Sequence, residues 1–584
     1  MSTTSPSNDT LLQVKNLSHH FHMRKHTVKA VDEIDFELYP GETLGIVGES
    51  GSGKSVTALS LMRLLSIPPR LRHLGEILFH SHVHGHTDLR KLSEDAIRKV
   101  RGAEIGMVFQ DSSQAMNPVF SCGNHVMEAI LTHQRIDYDE AREKVIELFD
   151  KVKLKDPEGK FKAYPHQLSG GELQRVMIAI AIACQPRLLI ADEPTTALDV
   201  TIQAHIIKWL RQYKEESNLS MIFISHDLNL MAEVADRVLI MRNGRIVEQG
   251  TVDEIFRRPK LPYTQGLLAC RPRPELDQKY LPVLSDFREM GNAKVDTLIK
   301  RGLRPVGERK KRRDLLDAQP TVLEVEDLRV WFPKKRGFLQ KSTEFTKAVD
   351  GVSFAVRQGE TLGLVGESGS GKTTLFRTIA RLEEYSSGKI LFEGRDIGNL
   401  NKKDLRHLRS EMQMIFQNAS QALNPQMAVG DILQEPLVIH KMCRSAAERQ
   451  DRVMELLDQV GLDYELMSRM PGELSGGQRQ RVTIARALAV KPRFLICDES
   501  VSALDVGIQA QILNLLNKLK EEYNFTLIFV SHDLSVVKFI ADRIIVLREG
   551  KIVETGYAEE IYQDPKDDYT RELIQAIPKG LTHS

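Results

Sequence analysis

The chain has 584 residues, and 80 Lys and Arg stand against 79 Asp and Glu, a formal net charge of +1. That balance excludes a global field that would recruit nucleic acid. The five cysteines, Cys122, Cys184, Cys270, Cys443 and Cys497, form no C-x-x-C pair, so neither a disulfide framework nor a cysteine zinc site is supported.

The N-terminus is polar and lacks the apolar core of a signal peptide. No uninterrupted apolar run reaches the ~18 residues that span a bilayer. Val176–Ala191 is the most apolar stretch, and Gln185, Pro186 and Arg187 divide it. The expected location is the cytosol, with any membrane association through a partner.

Residues 11–47 read as short strands carrying Leu12, Val14, Leu17 and Phe21, then Val31 and Phe36. The apolar run Thr43–Val47 then breaks into Gly48-Glu-Ser-Gly51-Ser-Gly53-Lys54-Ser55, which satisfies G-x-x-x-x-G-K-[ST] between a strand and a helix. Glycines let successive N–H groups turn inward around a phosphate chain, and the helix dipole points at the same anion. Lys54 can reach the β/γ-phosphates, and the Ser55 hydroxyl can ligate Mg²⁺. The motif recurs 318 residues later, with Gly366, Gly369, Gly371, Lys372 and Thr373 in the same places. Leu323, Val325, Leu328 and Phe332 precede it as their counterparts precede the first copy. A repeat at this scale divides the chain into two homologous halves, 1–270 and 321–584, joined by a linker over 271–320.

Phe21 and Phe332 read equally as core residues or as rings on which adenine stacks. A polar, basic insertion, Pro333 to Lys347, lengthens the second copy and reads as a surface loop. His80, His82, His84 and His86 alternate, which in one extended strand puts four imidazoles on one face. The tip of an exposed hairpin is favoured over a metal site.

Val108-Phe-Gln110 and Ile415-Phe-Gln417 each end an apolar strand in glutamine, a side chain that can touch Mg²⁺ or orient water without titrating. Asn117-Pro118 and Asn424-Pro425 follow them. Leu168-Ser169-Gly170-Gly171-Glu172 and Leu474-Ser475-Gly476-Gly477-Gln478 open long helices and form a second anion-binding end in each half. Each leucine lies 24 residues before the aspartate of Asp192-Glu193 or Asp498-Glu499, acids that emerge at the carboxyl end of a buried parallel strand. There Asp can hold the Mg²⁺ shell while Glu polarises a water. Ala197-Leu-Asp199 and Ala503-Leu-Asp505 come next. His226 and His532, each 33 residues beyond its Glu, end further buried strands and can bond a γ-phosphate or the attacking water.

Related tails close the halves, with Tyr263-Thr264 in the first and Tyr569-Thr570 in the second. The basic run Arg309–Arg313 between the halves reads as a solvated linker rather than a nucleic-acid arm.

Phosphate loop, glutamine, L-S-G-G signature, Asp-Glu strand, A-L-D loop and histidine, in this order twice, resemble the ABC ATPases over nearly all of both halves. The F-Q-x-x-x-x-x-x-N-P stretches, His166 before the first signature and the P-x-x-x-Y-T tails resemble the oligopeptide/dipeptide importer subfamily. The fusion of two such domains is similar to the single-chain ATP-binding subunits of glutathione and microcin C/peptide importers.

The resemblance implies an α/β fold of two tandem P-loop NTPase domains, each with a RecA-like core, an antiparallel β subdomain and a helical signature subdomain. It implies ATP and Mg²⁺ as cofactors and import of peptides or peptide-like solutes as function. It further implies that one ATP site joins Phe21, Gly48, Gly51, Gly53, Lys54, Ser55, Gln110, Asp192, Glu193 and His226 to Ser475, Gly476, Gly477 and Gln478. The other joins Phe332, Gly366, Gly369, Gly371, Lys372, Thr373, Gln417, Asp498, Glu499 and His532 to Ser169, Gly170, Gly171 and Glu172. Glu193, His226, Glu499 and His532 are the catalytic candidates; Ser55, Gln110, Asp192, Thr373, Gln417 and Asp498 are the Mg²⁺ candidates. The implied partners are two membrane permeases, held at the cytoplasmic face of the inner membrane beside Gln110 and Gln417, and indirectly a solute-binding protein. Two departures stand out: Glu172 replaces the commoner Gln, and Ser500 replaces the usual Pro after Glu499. A soluble tandem ABC protein acting on ribosomes is the alternative; such proteins typically carry a long charged helical linker and lack the Tyr-Thr tails.

Overall fold

A computed structural model of the chain describes residues 10–22, 27–65, 71–110, 112–195, 198–289, 295–333, 345–502, 504–578 and 580. Ala197, Ala503 and most of the expected loop between Pro333 and Lys347 lie outside the described residues. Two units emerge: Met1–Leu268 with Pro578–Ser584, and Ala269–Ile577.

The first unit has ten strands among the described residues: β1 (Leu12–His22), β2 (Thr27–Leu38), β3 (Thr43–Val47), β4 (Leu71–Ser81), β5 (Gly85–Asp88), β6 (Ile105–Val108), β7 (Leu188–Asp192), β8 (Ser220–Ile224), β9 (Arg237–Arg242) and β10 (Arg245–Thr251). They form an antiparallel sheet of order β2-β1-β4-β5 and a mostly parallel sheet of order β10-β9-β3-β8-β7-β6. All residues of β3, β7 and β8 are buried, as a parallel strand covered on both faces requires. Leu12, Val14, Leu17, Leu44, Ile46, Leu61, Ile190 and Ile222 join both sheets and the Lys54–Leu61 helix in one core. Helices Cys122–His133, Tyr138–Lys151 and Gly170–Ile182 pack together as a helical subdomain.

The second unit repeats the plan with β11 (Thr321–Pro333), β12 (Phe345–Arg357), β13 (Thr361–Val365), β14 (Ser387–Phe392), β15 (Arg395–Asp396), β16 (Met412–Ile415), β17 (Phe494–Asp498), β18 (Thr526–Val530), β19 (Arg543–Arg548) and β20 (Lys551–Tyr557). The sheet orders are β12-β11-β14-β15 and β16-β17-β18-β13-β19-β20. Helices Val429–Ile439, Ala446–Gln459 and Gly476–Leu488 make its helical subdomain.

Two expectations change and one holds. The short strands expected over residues 11–47 are instead two long partners, β1 and β2. Asn16 and Glu33 adopt positive φ and shift the register between them, so the hydrophobic alternation breaks without ending the strand.

The histidines sit at the tip of a hairpin, as expected, with the turn inside the run. His80 and His86 pair across β4 and β5 with ring centroids 6.5 Å apart, and His82 lies in the turn, so no four-histidine face forms. No group of three or more metal-ligating side chains occurs among the described residues. Replacing all four histidines by Ser should leave ATPase activity unchanged with and without added Zn²⁺; a Zn²⁺-dependent loss would contradict this.

The segment expected as a solvated linker is largely folded onto the second unit. Helices Leu284–Glu289, Val295–Arg301 and Glu308–Asp317 occupy it, and Phe287 and Leu298 share a small core with Ala269. The Asn514 amide bonds the Leu281 backbone in both directions, at 2.9 and 2.8 Å. The three arginines of the basic run are paired internally, while Lys310 and Lys311 are exposed: Arg309 pairs with Glu559 at 3.2 Å, Arg312 with Asp542 at 3.2 Å, and Arg313 with Glu560 at 2.7 Å. Arg313 also lies 3.7 Å from the Tyr557 ring centre.

Candidate functional site

Each phosphate loop joins the central strand of its six-stranded sheet to a helix that begins at the lysine. Gly53 and Gly371 precede the helices at φ 106° and 102°, and a Cβ there would lie 2.3 Å from the Ala30 carbonyl and 2.1 Å from that of Ala348. Only glycine permits both that backbone and that approach. The loop thus packs against neighbouring backbone that leaves no room for a side chain at the start of its helix. The Lys54 ammonium, buried, donates to the carbonyls of Gly48 at 2.7 Å and Glu49 at 3.0 Å. Lys372 makes the same pair of bonds to Gly366 at 2.6 Å and Glu367 at 2.9 Å. A cation is therefore stationed inside each loop.

Asp192 and Asp498 end β7 and β17 and are 3% and 4% exposed. The Ser55 hydroxyl lies close enough to Asp192 to offset part of the rise in its carboxyl, and Asp192 Oδ1 is buried with no hydrogen-bond partner. Burial pushes both carboxyls up to about 6, the neighbouring Glu193 and Glu499 adding to the rise. A carboxyl whose folded value lies above its unfolded one costs folded-state stability once ionised, a cost absent below about pH 4 and complete above about pH 6. Asp192→Asn and Asp498→Asn should therefore stabilise the nucleotide-free chain by about 2 kcal/mol each at pH 8 and leave it unchanged near pH 4. Thermal denaturation at the two pH values checks this, and equal effects at both would contradict it.

Glu193 and Glu499 follow at φ 50° and 43°, a left-handed backbone that costs of order 1–3 kcal/mol for a non-glycine residue. Their N–H groups donate to Ile224 and Val530 on the adjacent strands, each at 3.0 Å, which holds that conformation. His226 Nδ1 lies 3.4 Å from Glu193 Oε1, and His532 Nδ1 lies 3.5 Å from Glu499 Oε2. In the second unit Gln417 also donates to Glu499 Oε2 at 2.7 Å. Burial alone would raise Glu499 and lower His532. Their contact wins in both, holding Glu499 below the ordinary range and raising His532. Each unit thus gathers the loop lysine, the Asp-Glu pair and the histidine at the carboxyl ends of its parallel strands. Ser500 is buried and leaves the Glu499 backbone as Glu193 has it beside Pro194.

Ser169 and Ser475 cap the helices Gly170–Ile182 and Gly476–Leu488 through capping boxes, accepting from the N–H of Glu172 at 3.3 Å and of Gln478 at 3.2 Å. Ser169 and Gly170, like Ser475 and Gly476, are exposed, whereas Gly171 is half-buried and Gly477 is buried. The Glu172 charge is neutralised locally, because Lys160 Nζ lies 2.7 Å from its Oε1. Although burial alone would raise it, Lys160 and Ser169 keep the Glu172 carboxyl below its ordinary range. Sequence reasoning missed Lys160. The available signal was a double exchange: the residue twelve positions before the signature acid is Lys160 in one half, while Leu466 stands before Gln478 in the other.

Phe21 and Phe332 lie near the ends of β1 and β11, partly exposed, with Phe332 at 43%, so neither is a core residue. Beyond Gln110, Val119 is 72% and Phe120 50% exposed; in the second unit Phe416, Val438, Ile439 and Met442 are exposed. No helix of the described residues is long and apolar enough to cross a membrane.

Residues 31–196 and 349–502 match the family model described as ABC transporter, and residues 247–287 and 553–581 match that of the oligopeptide/dipeptide transporter, C-terminal region. The chain is 44% identical over 566 residues to the peptidoglycan transport ATP-binding protein YejF of Agrobacterium fabrum, covering 97% of this chain and 96% of that protein. It is also 44% identical over 569 residues to the glutathione import ATP-binding protein GsiA of Pectobacterium atrosepticum, covering 97% and 89%.

Proposed function

Because the chain belongs to the ABC transporter ATPases and carries the oligopeptide/dipeptide transporter C-terminal region twice, we propose that it is the ATP-hydrolysing subunit of an importer for peptides or peptide-like solutes. The observation that carries this reading is the duplicated constellation of buried lysine, Asp-Glu pair and histidine, each beside a tail of the transporter type.

In each unit the loop N–H groups and Lys54 or Lys372 bind the phosphates, and the signature starts at Ser169-Gly170-Gly171 and Ser475-Gly476-Gly477 supply further N–H donors. Glu193 and Glu499 polarise the attacking water, and His226 and His532 fix the rotamer of the glutamate and reach the γ-phosphate. Phe21 and Phe332 offer exposed ring faces to adenine.

The residues fit Mg²⁺. Asp192 Oδ1 is a buried oxygen with no hydrogen-bond partner, next to the Ser55 hydroxyl, and hard oxygen donors of this kind suit that ion. Asp498 and Thr373 stand in the same places in the second unit, with Gln110 and Gln417 as further donors. When bound, the ion neutralises charge on the phosphate oxygens.

The exposed apolar side chains after Gln110 and Gln417 are the surfaces assigned to two permeases, through which a chain whose described residues include no spanning helix is held at the membrane. Affinity purification from detergent-solubilised membranes tests the assignment. Two polytopic permeases should co-purify; recovery with ribosomes instead would favour a soluble tandem ABC protein.

A further inference from the structure

Both tails reach the phosphate loop of their own unit. In the first, Glu248 on β10 accepts from the N–H groups of Lys260 at 2.7 Å and Leu261 at 3.3 Å and from the Thr264 hydroxyl, fixing the start of the Pro262–Ala269 helix. In the second, Glu554 on β20 accepts from Lys566 at 2.8 Å and Asp567 at 3.1 Å, ahead of the Asp568–Gln575 helix. The tyrosine so placed is buried in each case, Tyr263 at 8% and Tyr569 at 3% exposure. Arg242 and Arg548 lie over the two rings, each 4.7 Å from the centre. These arginines follow Met241 and Leu547, whose carbonyls press on Gly48 and Gly366 so closely that a Cβ would lie 2.2 Å away.

The tyrosine hydroxyls meet one particular peptide group. The Glu49 N–H donates to Tyr263 Oη at 3.4 Å, and the Tyr263 hydroxyl donates to Glu49 Oε2 at 3.3 Å. The Glu367 N–H donates to Tyr569 Oη at 3.0 Å. The carbonyl of that same peptide, Gly48 or Gly366, accepts the loop lysine. A planar peptide presents its N–H and its carbonyl on opposite sides, so tail and lysine fix its orientation from both ends. Everything downstream in the loop hangs from this peptide, including two glycines at positive φ. Burial, with Glu49 alongside, pushes the Tyr263 phenol above its ordinary value, so its hydroxyl stays protonated near pH 7. The contact recurs in tails that differ at five of ten aligned positions, 259–268 and 565–574.

We infer that Tyr263 and Tyr569 are positioning residues of the phosphate loops, through which each tail pre-organises its loop and sets nucleotide affinity. The tyrosines touch no phosphate position; they act on the loop peptide. Without the hydroxyl, the loop has more conformations to lose on binding, and affinity falls. The inference rests on reading the two loops as ATP sites.

The test is equilibrium dialysis of ATP against the full chain with EDTA present, alongside melting temperature and steady-state ATPase kinetics. The Tyr263→Phe, Tyr569→Phe double variant keeps both rings and loses both hydroxyls. One neutral hydrogen bond per site corresponds to a rise in Kd of about 3- to 10-fold. KM for ATP should rise similarly, with kcat held within about twofold and the melting temperature within about 2 °C. Each single variant should weaken one site and leave biphasic binding. Tyr557→Phe, which removes a hydroxyl bonded to Asp317 away from the loops, should leave Kd unchanged. Unchanged Kd in the double variant overturns the inference, as does weakening that Tyr557→Phe reproduces or that tracks a loss of melting temperature. A wild-type chain that binds no ATP refutes the ATP-site reading itself and the inference with it.

Discussion

Changing Glu193 and Glu499 together to Gln should slow ATP hydrolysis by about 10²–10⁴-fold while leaving ATP binding intact, because a carboxylate that polarises water contributes on that scale. Both glutamates sit just past the carboxyl end of a buried strand, in the same strained backbone, with a histidine nitrogen 3.4 or 3.5 Å from the carboxylate. Strain repeated at two equivalent positions, and held by a backbone bond of 3.0 Å in each, is the mark of a side chain aimed for a purpose. Glutamine keeps the shape and the hydrogen-bond reach to histidine and loses only the basicity. Single-turnover hydrolysis and nucleotide retention, measured on the same preparation, separate the two effects. Near-normal turnover by the double variant would refute the assignment. Neither unit has lost its lysine, glutamate, histidine or capping serine, so each single change should cut turnover substantially as well. The Glu172 departure does not alter this expectation, since its charge is spent on Lys160 within the same subdomain.

The second large effect concerns the second unit's stability. Asp542 accepts from the Thr361 N–H at 2.8 Å, pairs with Lys520 at 3.1 Å and receives Arg312 from the connecting segment at 3.2 Å. Its side chain is only 17% exposed. Although burial alone would raise it, Lys520 and Arg312 hold the Asp542 carboxyl far below its usual range. Asp542→Asn keeps the backbone bond but strands two cations, and should destabilise the second unit by about 3 kcal/mol. A depressed folded pKa contributes stability above the unfolded value and loses it as pH falls, so the deficit of the variant should shrink below about pH 4. Asp236 occupies the same place in the first unit, bonded to Thr43 N at 2.7 Å and to Lys214 at 2.8 Å, but is 56% exposed. Asp236→Asn should therefore cost about 1 kcal/mol or less. Denaturant unfolding of the two variants compares them directly, and equal losses would show that burial beneath Arg312 is not the cause.

The parts of the chain proposed to act on phosphate stand out in the sequence because their chemistry is local. A glycine loop, a strand ending in Asp192-Glu193 and a serine capping Gly170–Ile182 each declare themselves within about ten residues, and the duplication doubles every signal. What escaped reading depends on partners far away in sequence. Arg309–Arg313 looks like a solvated basic run until Asp542, Glu559 and Glu560, more than two hundred residues later, are folded against it. Tyr263 meets Glu49 across 214 residues of sequence. The histidine run is legible as a hairpin tip because its period of two crosses a turn, which reverses the chain and leaves only His80 and His86 as a pair. Asn16 and Glu33 disguise two long strands as several short ones, because a register shift interrupts alternation without interrupting pairing.

The central claim is that ATP hydrolysis at both loops drives solute inward, and ATP-dependent uptake measured in proteoliposomes tests it most directly. The chain is reconstituted with its two co-purifying permeases and their solute-binding protein, and a labelled peptide mixture is offered on the binding-protein side. Uptake should require ATP and Mg²⁺ on the side of this chain, fall strongly with Glu193→Gln or Glu499→Gln alone, and vanish with both. Uptake that persists in the double variant, or that proceeds without ATP, would contradict the account.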